Sequence, residues 1–146
     1  MTDARLEPLS QDVCLQLLRE AAVGRIAVVV GADPVILPVN YRLIEPASGP
    51  YLALRTRPGN VVDHALPSVA FEIDSIDSVR HQGWSVLVRG ELLHANPVRP
   101  DQREAFDPES WLPDRDSWLL IDPWQITGRE LHGAESEWQF RPGEYM

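Results

Sequence analysis

The sequence predicts an all-β domain, a barrel or a sandwich, with a leading helix and one further short helical turn. Three observations predict it. Six or seven short apolar, β-branched segments recur at tight spacing with turn signals between them. A single window near the start carries helical periodicity. The chain has 146 residues, the usual size of one domain, and shows no linker, repeat or low-complexity tract. Residues 1–146 are therefore expected to form one unit.

The helix is expected over residues 10–22. Ser10 is a natural N-cap, and Asp12 in the first turn complements the helix dipole. Leu9 and Cys14 sit at the two positions of a hydrophobic staple. Val13, Leu17 and Ala21 form one stripe, with Cys14, Leu18 and Ala22 beside it. Gly24 is read as the helix stop. Arg25–Val30 is almost wholly apolar and β-branched, so it is expected to be a strand buried on both faces. Gly31–Pro34 is a turn. Val35–Ile44 alternates, with Val35, Leu37, Val39, Tyr41 and Leu43 on one face. Pro38 cannot donate to a ladder, so it marks an edge or a bulge.

Tyr51–Thr56 is the next strand. Pro58 and Gly59 turn the chain, and Asn60 caps a short helix with Asp63 three residues on. Pro67 stops that helix. Ser68–Ile73 and Gly83–Ala95 are strands, the second bent at Gly90. Residues 96–116 are rich in Pro, Asp and Arg and read as a surface excursion, with a short helix at Asp101–Phe106. Ser117–Asp122 and Ile126–Leu131 are the last strands, and the tail from His132 is polar.

Composition excludes several functions. The net charge of −9 disfavours nucleic acid and anionic membranes as partners. No apolar run approaches the ~18–20 residues of a membrane helix, and the first residues lack a secretory pattern. Cys14 is the single cysteine, which suits a reducing, cytoplasmic setting. All 13 basic residues are arginine, so no Schiff-base lysine, P-loop lysine or Ser-Lys dyad exists. His64, His81, His94 and His132 show no zinc-site spacing, and no metal is expected. Asp74/Asp77 and Glu135/Glu137 read as loop acids.

The order of motifs resembles the flavin-binding split barrels related to pyridoxamine 5′-phosphate oxidase. The motifs are VGRIAVVVGADPVILPVNYRL (Val23–Leu43), YLALRTRPGNVVDHALPSVAFEID (Tyr51–Asp74), GWSVLVRG (Gly83–Gly90) and ITGR (Ile126–Arg129). The resemblance spans residues 8–131. It implies a six-stranded antiparallel split barrel and a homodimer, with flavin mononucleotide (FMN) in a groove between subunits. The expected activity is a flavin-dependent oxidoreductase on a small-molecule substrate. The isoalloxazine would supply the redox chemistry, so few side chains need act as acid or base.

Carried over by position, the resemblance makes Asn40, Arg55, Thr56, Arg57, Gly59, Asn60, Trp84 and Ser85 the cofactor-binding candidates. Asn40 would meet the ring edge, and Trp84 and Ser85 the ring pocket or the dimer seam. Residues 55–60 would meet the phosphate. Where the family places basic residues that grip that phosphate, this chain has Val61 and Val62. A charge-assisted bond is worth ~1.5–3 kcal/mol, so FMN binding depends on Arg55, Arg57 or Arg42 substituting. The alternatives are a deazaflavin-dependent reductase and a non-catalytic small-molecule-binding dimer that has lost FMN.

Overall fold

The computed structural model describes residues 3–57, 59–95, 107–108, 111 and 117–134. The helix expected at Asp101–Phe106, the turn role of Pro58 and the Glu135/Glu137 pair lie outside the described residues.

The elements are β1 (Arg5–Pro8), α1 (Gln11–Glu20), β2 (Val23–Val30), β3 (Asp33–Ile44), β4 (Tyr51–Thr56), a 3₁₀ helix (Val61–His64), β5 (Ser68–Asp77), β6 (Gln82–His94) and β7 (Ser117–His132). All pairings are antiparallel. The order β7-β4-β3-β2-β5-β6 returns to β7, so six strands close a ring. The expected six-stranded barrel is this ring. The seventh strand, β1, adds to the free part of one edge of β7, with Arg5 opposite His132.

Ser10 caps α1 as expected, its hydroxyl accepting from the Val13 N–H at 3.2 Å. Cys14 and Leu18 are fully buried. Leu9 and Cys14 close over Gly128, where a Cβ would lie 2.6 Å from Cys14 Sγ. The helix ends at Glu20, ahead of Gly24. Gly24 instead lies within β2, where a Cβ would overlap the Phe71 ring. Its role is close approach, not helix termination.

β2 is not buried on both faces. Gly24, Ile26 and Val28 point inwards, whereas Arg25 is exposed and Ala27 and Val29 are half-buried. The outward side of a closed ring has no second sheet to cover it, so an apolar run there stays partly open. A two-residue turn at Gly31 and Ala32, with Gly31 at φ +64°, joins β2 to β3. Pro38 lies where β3 pairs with β2 alone, which makes it an edge residue as its missing N–H requires. β6 shifts register between Arg89 and Gly90. β5 runs on to Asp77, and the two segments expected at the end of the chain are one continuous strand.

The core fills the ring from Leu18, Ile26, Tyr41, Leu52, Leu54, Phe71, Val86, Val88, Leu119 and Ile121. The Tyr41 hydroxyl donates to the Leu18 carbonyl at 2.6 Å, and its N–H donates to the Ala22 carbonyl at 3.1 Å. Both bonds fix the end of α1 on the barrel.

Candidate functional site

Two groups of candidate residues emerge, and the ring separates them. Arg55 pairs with Trp118 across β4 and β7, while Trp84 pairs with Glu130 across β6 and β7. Along β7 these rows stand twelve residues apart, about 40 Å of strand contour at ~3.3 Å per residue. One chain therefore does not bring Trp84 and Ser85 next to Arg55 and Thr56.

The first group begins on the outward side of β3 and β4. Alternation turns Tyr41 and Leu54 into the core and leaves Asn40 and Arg55 facing out. Both are engaged by the chain itself. Asn40 Oδ1 accepts from the Trp111 backbone N–H at 3.1 Å. Arg55 bonds Asp107 Oδ1 at 3.0 Å, and its guanidinium lies 4.9 Å from the ring centroid of Trp118. Residues 107 and 111 thus lean on Asn40 and Arg55, while Arg42, on the same face of β3 as Asn40, is exposed.

At the end of β4 the backbone enters the loop that leads to the 3₁₀ helix. Thr56 is 4% exposed, the one buried polar residue among those described. Gly59 takes φ +78°, which favours glycine. Asn60 Oδ1 accepts from the Val62 N–H at 3.1 Å, which is the predicted cap. Val62 is fully buried in the core, and Val61 packs against it. The position of Val62 points into the barrel. A basic side chain there would be a buried, unpaired charge rather than a phosphate grip.

Asp63 is the centre of this loop. Its Oδ2 accepts from the Gly59 N–H at 2.9 Å. Its Oδ1 accepts from the Ser117 hydroxyl at 2.9 Å and from the Thr56 hydroxyl at 3.4 Å. Three donors from three segments converge on one carboxylate. The pattern is related to a capping box, in which an acid reaches back over the helix start. The spacing of Asn60 and Asp63 signalled that acid. Its Ser117 partner, 54 residues on, had no local signal. Asp107 and Trp118, the partners of Arg55, likewise came from a distant segment. Arg57 is exposed.

The second group lies at the far end of β6. Trp84 lines a cavity of about 280 Å³ with Ser75, Gln82, Leu131 and His132. That is just under the usual range for small-molecule pockets. Glu130 and Asp77 also line it, and His132 Nε2 lies 3.5 Å from Glu130. Ser85 pairs with Asp74 on one side and Arg129 on the other. Between the groups, Arg25 bridges Asp74 at 3.2 Å and Glu72 at 3.6 Å on the outer face. Burial and the neighbouring Asp74 carboxylate push the Glu72 carboxyl up to about 7.

Comparison with known proteins fixes the family. The family model of pyridoxamine 5′-phosphate oxidase matches residues 10–130. The chain belongs to the pyridoxamine 5′-phosphate oxidase family. It is 35% identical over 128 residues to the uncharacterized protein Rv0080 of Mycobacterium tuberculosis, covering 82% of each chain. Its fold is similar to that of a candidate pyridoxamine 5′-phosphate oxidase of Corynebacterium glutamicum, at 25% identity and TM-score 0.71. That match covers 86% of this chain and 98% of the other. It is also similar to an FAD-binding protein of Mycobacterium smegmatis, at 30% identity and TM-score 0.63, again over 86% and 98% of the two chains. In the loop the Gly59 N–H and the Ser117 hydroxyl are already turned to Asp63, Val61 and Val62 carry no charge, and Arg57 is exposed. Donors committed to a carboxylate of the chain itself do not fit a gripped FMN phosphate.

Proposed function

We propose that this chain is a flavin-binding member of the pyridoxamine 5′-phosphate oxidase family that works as a homodimeric oxidoreductase on a small molecule. The observation that carries the reading is the likeness to the FAD-binding protein of Mycobacterium smegmatis, which extends over nearly all of that chain. Fold likeness alone is a weak warrant for activity, but here it joins membership of the family. Ile36 is 67% exposed on the outer face and belongs to the open edge of β3. A second copy is the partner proposed to cover that edge. A dimer would also allow Trp84 and Ser85 of one subunit to approach the Arg55 region of the other. The reading gives the protein a cytoplasmic setting, and the −9 charge supports the absence of nucleic-acid and membrane partners. Among the described residues no helix is long and apolar enough to cross a membrane.

The flavin is proposed as a class, and FMN held by its phosphate is not favoured. A second reading, a small-molecule-binding dimer without flavin, draws support from one observation. Asn40, Arg55, Thr56, Gly59 and Asn60 are all bonded within the chain. The absorbance spectrum of the freshly purified protein separates the two. A visible flavin band, released on denaturation, supports the flavin reading. A colourless protein that remains so after incubation with FAD, FMN and riboflavin supports the second. Binding of a deazaflavin alone, with its blue-shifted band, would transfer the assignment to that cofactor.

A further inference from the structure

We infer that Asp63 sets the ligand specificity of the β4 loop: its carboxylate occupies the place of a ligand phosphate, so the protein accepts a flavin without reading a phosphate monoester. The inference rests on the flavin reading above and adds a prediction about which part of the flavin is recognised.

Anion recognition needs converging donors and a nearby cation. The loop supplies the donors: the Gly59 N–H, the Ser117 hydroxyl and the Thr56 hydroxyl. All three point at Asp63. The Gly59 N–H is fixed by its left-handed backbone, and Thr56 is buried. None of these donors is presented outwards to a second anion. Of the two arginines that flank Thr56, Arg55 is bonded to Asp107 and lies over Trp118, and Arg57 is exposed to solvent, with the converging donors already turned to Asp63. At the next positions Val62 is core and Val61 packs on it, so neither offers a positive charge to the loop. A phosphate entering here would have to displace Asp63 from three hydrogen bonds and then sit beside its negative charge. The ring of a flavin, which is uncharged, meets neither obstacle.

The test compares riboflavin and FMN, two ligands that differ by the phosphate alone. Binding is followed by quenching of flavin fluorescence with the full-length wild type and with Asp63→Asn. Asparagine removes the charge and keeps one oxygen to accept from the Gly59 N–H, while its NH2 can donate to the Ser117 hydroxyl, which also accepts. The expected result is that the wild type binds FMN no tighter than riboflavin. Asp63→Asn should then tighten FMN at least about tenfold, the equivalent of ~1.4 kcal/mol, with riboflavin unchanged. A wild type that prefers FMN by tenfold or more overturns the inference and leaves the flavin reading standing. So does a folded Asp63→Asn protein with an unchanged FMN-to-riboflavin ratio. If the variant does not fold, the wild-type ratio decides alone. If neither compound binds the wild type but FAD does, the inference is overturned and the flavin reading stands; if FAD fails too, the flavin reading fails, and the inference with it.

Discussion

Tyr41→Phe removes one oxygen and tests how α1 is tied to the barrel. The ring is 2% exposed and packs edge-on to Phe71, with centroids 4.8 Å apart. Phenylalanine keeps that packing. The lost group is the hydroxyl that donates to Leu18 at 2.6 Å. Leu18 lies in the last turn of α1, where carbonyls have no partner within the helix. Burial holds the phenol well above its ordinary pKa, so it stays a donor at neutral pH. The net loss of a neutral hydrogen bond is ~0.5–1.5 kcal/mol, and a stranded buried carbonyl raises the cost to ~1–3 kcal/mol. For a chain of this size, about 2 kcal/mol lowers Tm by about 4–8 °C. Urea unfolding followed by tryptophan fluorescence should show a lower midpoint with an unchanged slope. A midpoint equal to that of the wild type would refute the claim that this bond anchors the helix.

Two further outcomes follow from side chains at β2 and β5. Gly24→Ala should destabilise by ~3 kcal/mol, the upper end of overpacking costs, because the added methyl meets the Phe71 ring and a backbone oxygen of Glu72 at 2.9 Å. Thermal unfolding checks it, and an unchanged Tm would mean that the two strands part easily. The folded state holds the Glu72 proton more tightly than the unfolded chain does, with the carboxyl raised from 4.5 to about 7. Unfolding therefore releases a proton across that interval, and stability should fall as pH rises from about 4.5 to about 7. Arg25, shared between Glu72 and Asp74, opposes this shift without cancelling it. Glu72→Gln should flatten the fall in Tm over that interval, and parallel pH profiles for the two proteins would contradict it.

Much of the fold was legible because it rests on local chemistry. Ser10 caps the helix, Gly31 turns the hairpin, Pro38 stands at an edge and Gly90 marks the register shift. The misreadings involve partners remote in sequence. Gly24 resembles a helix stop until Phe71 is placed against it. β1 is a four-residue exposed strand ending in proline, and it exists by pairing with β7. Pro123 interrupts the apolar pattern of β7, yet it sits opposite Gly90 at the register shift, so the strand continues through it. The candidate site divides in the same way. The loop, its glycine and its Asn60 cap were readable. The engagement of Asn40 by Trp111, of Arg55 by Asp107 and of Asp63 by Ser117 was not, because each joins segments more than fifty residues apart.

The most direct test of the flavin reading is a titration of the full-length protein with FAD, FMN and riboflavin, followed by flavin fluorescence. Saturable binding of at least one of them is expected, with micromolar affinity and one flavin per chain. Linear, unsaturable signals for all three would contradict it.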